Sequence, residues 1–447
     1  MAKKIFCVIF SVFLIITLFC PLLSVSAYEV TGFDISAKAG MLVSLDTGDV
    51  LYENNIDKKM YPASLTKIMT VTLMLESDKF NPEGKISMTK SALDIVLGTG
   101  SSVSNLKEGE EITQLDLVYL VLMSSFGDCA YLAAEYYYGS IEAFVDVMNK
   151  KASELGLKAT HYENPVGLHS EENYTTVRDV CTLTKYALKN DTFKTVCETP
   201  RYQMPATNMS GARTLSTTNF LQDTATNYYY QYAKGVKTGY TDEAGRCLVS
   251  TASYKGYTYM CILMGCPGKA DRRYEFLESA NLYRWAFNNF SFKEIASSKE
   301  PICEMPLNLS MQTDFVPLYF KNSFVSVLPN EADDSTVLVE THLNGESCNA
   351  PVKKGQVLGT ADIIFAEKKI GTVELVAGED IKANLVLVVA SKIKSIFTSV
   401  YMKLIFAGII IAIIVFILLC IKLNMARIKK RKVRYIPYKD RKDDYEE

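Results

Sequence analysis

Pro62-Ala63-Ser64-Leu65-Thr66-Lys67-Ile68-Met69-Thr70-Val71 is the stretch on which the reading of this 447-residue chain turns. Its apolar, helix-compatible continuation places Ser64 and Lys67 three residues apart on a first helical turn, where they project to one face. The serine then stands at the positive end of the helix dipole, which favours charge developing near its hydroxyl. A serine hydroxyl is a poor nucleophile unless a base takes its proton. With only three histidines in the chain, a lysine is the better candidate for that base. Its amine serves once burial or a neighbouring cation has lowered its pKa. The same spacing recurs in Ser87-Met88-Thr89-Lys90, Ser104-Asn105-Leu106-Lys107 and Ser391-Lys392-Ile393-Lys394, but none of these has the same lead-in and helical continuation.

Further along, Lys237-Thr238-Gly239 precedes a strand-rich block beginning near Cys247. It offers a second cation and a glycine that lets a substrate backbone approach the strand closely. Before Ser64, residues 40–46 and 49–52 read as two strands about a Thr-Gly turn. Residues 115–137, 141–155 and 177–188 carry apolar residues at helical spacing. Strand character returns at 247–254 and 257–265, and 275–290 reads as a closing helix. From about Pro301 short alternating stretches separated by Gly, Asn, Asp and Pro replace the helices, indicating an all-β domain of sandwich type.

The two ends place the chain in a compartment. Lys3 and Lys4, an apolar run and Ser24-Val25-Ser26-Ala27 read as a cleaved signal peptide over 1–27. Residues 404–421 are uncharged and apolar, long enough to cross a bilayer, and 391–403 reads as a stalk leading to them. The basic residues within 422–447 hold the tail in the cytoplasm. The expected units are thus 28–297, 298–390, the stalk, the membrane helix and the tail. Net charge is −2 overall, but about −9 for the exported part alone, which argues against nucleic acid as a partner. Eight of the eleven cysteines lie in the exported part. The compartment permits disulfides, yet Cys129, Cys247 and Cys261 sit in apolar runs where Cys acts as a small hydrophobe. No Cys/His pattern for a metal is present.

Ser64-Leu65-Thr66-Lys67 followed by Lys237-Thr238-Gly239 resembles the penicillin-recognising serine D,D-peptidases, most closely the low-molecular-mass D-alanyl-D-alanine carboxypeptidases of peptidase S11 type. The resemblance extends through Asn164-Pro165-Val166-Gly167-Leu168, residues 237–245 and 350–356. It implies an α+β domain of the serine transpeptidase/β-lactamase-like type, an antiparallel sheet flanked by helices, followed by the β-sandwich and the membrane helix. It also implies hydrolysis of the terminal D-Ala-D-Ala bond of peptidoglycan stem peptides through an acyl-Ser64 intermediate, with β-lactams as covalent inhibitors and without cofactor or metal. Carried over, Lys67 is the general base, and Lys237 and Thr238 bind the substrate carboxylate. The N–H groups of Ser64 and Tyr240 form the oxyanion hole. Arg272 assists at the carboxylate, with Arg273 as its rival.

The third family motif, Ser-x-Asn, maps to Ser125-Phe126-Gly127. Ser125 keeps the serine, whereas Gly127 loses a side chain that normally contacts the substrate and gains backbone freedom. The expectation is acylation of Ser64 with altered turnover. The rival is a binding or scaffolding homologue with impaired catalysis. A class A β-lactamase fits less well, because it requires a Glu-x-x-x-Asn that no segment here convincingly supplies.

Overall fold

The computed structural model describes residues 35–268, 271–332 and 336–431. The signal-peptide reading and most of the basic tail lie outside the described residues.

The central sheet begins with β1 (Ala39–Ser44) and β2 (Val50–Asn54), the expected hairpin, and is completed late in the chain by β3 (Ala233–Thr241), β4 (Gly245–Tyr254) and β5 (Tyr257–Cys266). The strand order is β2-β1-β5-β4-β3, and each neighbouring pair is antiparallel. The near-continuous apolar character of β4 and β5 follows from burial on both faces. Met41, Val249, Met260, Ile262 and Met264 join a helical core on one face. The alternating set Leu42, Leu248, Tyr259, Cys261 and Leu263 packs on the other with Phe276, Leu282 and Tyr283 of the helix Tyr274–Asn289. Side chains two residues apart share a face of a strand, so one run of sequence serves two cores.

On the first face lie α1 (Lys67–Glu76), α2 (Gln114–Leu122) and α3 (Gly127–Tyr138). Every residue of α1 from Lys67 to Met74 is buried, as expected of a helix through the middle of a core. Each of Ile68, Met69, Leu73 and Met74 contributes roughly 1.5–3 kcal/mol by leaving water. The helical pattern over 115–137 is two helices rather than one. Between α2 and α3, Ser125 takes a left-handed φ of +64°, a conformation costly for a side-chain-bearing residue and incompatible with a continuing helix.

The chain divides into two compact units, and the boundary differs from a cut at residue 297. Phe324–Leu338 and Ile364–Ile370 belong with the first unit. In that unit Asp49 Oδ2 accepts from Ser326 Oγ at 2.9 Å and from Val327 N at 2.8 Å, long-range bonds invisible in a linear reading. The second unit holds most of the β-sandwich domain, whose six-stranded sheet is assembled from strands between Cys303 and Ala377, and the helices that follow it. Its β structure stops before residue 390. Leu385–Thr398 is a helix capped by Asn384, whose side chain accepts from Val386 N and Leu387 N, so the expected stalk is largely helical. A second helix, Val400–Arg431, follows, and within it Val400–Ile428 is long and apolar enough to cross a membrane. The eight cysteines from Cys129 to Cys348 are free thiols, six of them buried.

Candidate active site

Ser64 lies in a 3-10 turn, Ala63–Thr66, that runs directly into α1. Ala63 before it has a φ of +47°. Such a conformation persists only where the surroundings impose it, and here they are β3 on one side and segment 164–168 on the other. A Cβ on Gly239 of β3 would stand 3.0 Å from Ser64 N and 3.1 Å from the Pro62 carbonyl oxygen. The glycine of Lys-Thr-Gly thus admits the nucleophile's own turn. Gly167 has φ +85°, and a Cβ there would lie 1.8 Å from the Ala63 carbonyl oxygen.

Lys67 is 1% exposed. Its Nζ donates to Ser64 Oγ at 2.9 Å and to the Val166 carbonyl oxygen at 3.0 Å. Burial lowers its pKa from 10.5 to about 7, against the opposing pull of Asp128 and Cys129. A neutral amine retains a lone pair for the Ser64 proton while donating to Val166. Lys237 is equally buried, and its amine donates to the Thr238 carbonyl oxygen at 2.8 Å. Burial and then the neighbouring Lys67 charge hold its pKa well below the ordinary value. Desolvation dominates for both amines, and the Lys67 charge further opposes protonation of Lys237.

Several supporting residues were not singled out by the motifs. Asn164 Oδ1 accepts from the backbone N–H of Val166, Gly167 and Leu168 at 3.3, 2.8 and 3.0 Å, and Thr70 Oγ1 donates to the Pro165 carbonyl oxygen at 2.6 Å. These bonds fix the carbonyl that orients Lys67. Asp128, fully buried at the start of α3, accepts from Ser104 N and, at 2.6 Å, from Ser104 Oγ. Ser104, set aside as a chance Ser-x-x-Lys match, thus buttresses the acid beside Lys67. Thr238 Oγ1 donates to Thr218 Oγ1 at 2.7 Å, which fixes the rotamer of that hydroxyl.

The remaining expected residues divide. Ser125 is nearly buried, and among the described residues its hydroxyl makes no hydrogen bond to protein. Tyr240 is 43% exposed, with its hydroxyl donating to Asp242 at 2.6 Å and Arg246 over its ring. Arg273 is engaged elsewhere. Its Nε donates to Glu275 at 2.6 Å and its guanidinium lies over Phe220 and Phe276. Arg272 is exposed and makes no ion pair among the described residues, so of the two it is the one available to a ligand. Gly127 does not exploit the backbone freedom expected of it. It is the buried first residue of α3, with no positive φ.

A serine hydroxyl on a desolvated amine, with a second buried amine behind a threonine hydroxyl, defines an acyl-transfer site of the serine-lysine class. The comparisons make this specific. Residues 25–268 match the family described as D-alanyl-D-alanine carboxypeptidase, and residues 308–383 match the C-terminal domain of penicillin-binding protein 5. The chain is 30% identical to D-alanyl-D-alanine carboxypeptidase DacC of Escherichia coli over 392 residues, covering 82% of this chain and 89% of that one. It is 29% identical to DacF of Bacillus subtilis over 349 residues, covering 77% and 86%. The structure of penicillin binding protein 5 from Haemophilus influenzae superimposes with a TM-score of 0.64 at 26% identity, covering 79% of this chain and all of that one. The chain belongs to the D-alanyl-D-alanine carboxypeptidase family of serine peptidases. It is a penicillin-binding hydrolase of that family, built as an α+β peptidase domain followed by a β-sandwich.

Proposed function

We propose that Ser64 is the nucleophile and Lys67 its general base in removing the terminal D-Ala from peptidoglycan stem peptides. The observation that carries this reading is the 2.9 Å contact between Lys67 Nζ and Ser64 Oγ, made by an amine whose pKa lies near 7. Ser64 Oγ bonds to the carbonyl carbon of the penultimate D-Ala as its proton passes to Lys67. Collapse breaks the C–N bond, and Lys67 returns the proton to the departing D-Ala amine. Water then attacks the ester and gives a proton to Lys67; the bond to Ser64 Oγ breaks as Lys67 passes that proton to Oγ, restoring the serine hydroxyl and the free amine with release of the shortened peptide. Ser125, whose hydroxyl has no protein partner among the described residues, relays protons on the leaving-group side.

The backbone N–H groups of Ser64 and Tyr240 receive the oxyanion, an interaction worth about 3 kcal/mol per donor. The carboxylate of the departing D-Ala accepts from the Thr238 hydroxyl, whose proton turns to it from Thr218 Oγ1, with the buried Lys237 beside it and Arg272 reaching in from solvent. Gly239 keeps β3 close enough to the turn for these groups to converge. β-Lactams occupy the same groove and acylate Ser64 covalently. In this reading residues 1–27 are removed on export and the peptidase and sandwich domains face the cell wall. The apolar helix anchors them in the cell membrane, with the basic tail in the cytoplasm. The apolar helix within Val400–Ile428 and the basic residues after it support that topology. Incubation of the full chain with a labelled penicillin tests the reading. A covalent adduct absent from Ser64→Ala is expected, and a wild-type chain that forms none overturns it.

A further inference from the structure

At Gly127, where the resemblance places the substrate-contacting asparagine, a Cβ would stand 2.1 Å from Ser101 Oγ and 3.1 Å from Ser101 Cβ. The space a side chain at 127 would enter is therefore already filled, and by a hydroxyl. Ser101 is carried there by the loop 98–104, which is fastened on both sides. Thr99 Oγ1 donates to the Val96 carbonyl oxygen at 2.8 Å and accepts from Ser101 N at 3.3 Å. Gly127 N donates to the Ser102 carbonyl oxygen at 2.8 Å, and Ser104 binds Asp128 through N and Oγ. The loop is thus tied to the first two residues of α3, beside Lys67. Ser101 is half-buried, and among the described residues its hydroxyl makes no hydrogen bond to protein. A half-buried polar group held at a fixed place beside the start of α3, without a protein partner, is suited to a ligand.

We propose that Ser101 supplies the substrate-contacting polar group that the glycine at 127 lacks, its hydroxyl hydrogen-bonding a backbone amide of the acyl portion of the substrate. This rests on the proposed function, since it assumes that the groove beside Ser64 and Lys67 receives the peptide. The replacement is steric as well as chemical. A side chain at 127 forces the Ser101 hydroxyl to turn from its place and presses on Ser101 Cβ, so the two positions are coupled.

The test uses the full chain in detergent and three variants: Ser101→Ala, Gly127→Asn and Ser101→Gly/Gly127→Asn. Readouts are Ser64 acylation by a labelled penicillin, kcat and KM on a peptide ending in D-Ala-D-Ala, and the thermal midpoint. Ser101→Ala is expected to lower kcat/KM about tenfold, the loss of one hydrogen bond to substrate. Its thermal midpoint should stay unchanged, because the hydroxyl has no protein partner to lose. Gly127→Asn alone should fall further through its clash with Ser101, and the double variant should recover at least about tenfold relative to it. Ser101→Ala within twofold of a wild-type chain that acylates normally overturns this inference and leaves the proposed function standing. Loss of activity in Ser101→Ala together with a lowered midpoint also overturns it, assigning Ser101 a structural role. A wild-type chain that forms no Ser64 adduct removes both.

Discussion

Titrating Lys67 exposes the central claim most directly. An amine with the ordinary pKa of 10.5 is neutral in only about 0.03% of molecules at pH 7, whereas one at about 7 is neutral in about half. Burial of Lys67 thus multiplies the supply of free base by about a thousand, equivalent to roughly 4 kcal/mol of barrier. Acylation of Ser64 should rise about tenfold per pH unit below pH 6, bend near pH 7 and level off above pH 8. The assay is the pseudo-first-order rate of labelled-penicillin adduct formation by the full chain between pH 5 and 9. Lys67→Arg keeps the charge but cannot supply a free base in this range, so its rate should fall by about a thousandfold or more and lose the acid limb. A wild-type rate that is flat from pH 5 to 8, or a limb centred near pH 10, would refute the assignment of Lys67 as the base.

Lys67 also predicts a pH dependence of stability. Its pKa is lower in the folded than in the unfolded chain, so between about pH 7 and 10.5 the unfolded chain binds more protons and wild-type stability rises with pH. Lys67→Met lacks that rise, so its thermal midpoint relative to wild type should be highest below pH 7 and decline toward pH 10. Asp128→Asn removes the charge that opposes burial at Lys67 and should move the acid limb of acylation about one unit lower. A limb that moves up would contradict the electrostatics. Gly239→Ala crowds the turn at Ser64 N and the Pro62 carbonyl and should slow acylation by about tenfold in a chain that still folds by circular dichroism. Asn164→Ala leaves three N–H groups without their acceptor and should destabilise the chain by about 1–3 kcal/mol in denaturant titration.

Local pattern was enough for much of the architecture. The hairpin of β1 and β2 was legible because a turn between two alternating segments is closed within about fifteen residues. The helices Ile141–Glu154 and Val177–Ala187 were legible from their periodicity. The pair Ser64 and Lys67 was legible because three residues on one turn fix two side chains on one face. The break at residues 123–126 was not, since Leu and Tyr on both sides maintain a helical apolar pattern straight through it. Neither were the bonds from Asp49 to Ser326 and Val327, which join residues more than 270 positions apart. The helix Leu385–Thr398 is not legible from local pattern, because it buries nothing and its valine-rich start reads equally well as strand.

The sequence by itself determined the chemistry: a serine, a lysine three residues on, and Lys237-Thr238-Gly239 are covalent facts whose reactivity is that of their functional groups. Tertiary structure decided whether those groups work. Only packing removes Lys67 from water and brings its pKa to about 7, and only the closing of β3 on the turn at Ser64 requires glycine at 239. The same holds for Gly127. In the sequence it is a missing asparagine, whereas in the fold its space is occupied by Ser101, because a side chain's volume can be supplied from any segment that the core brings alongside.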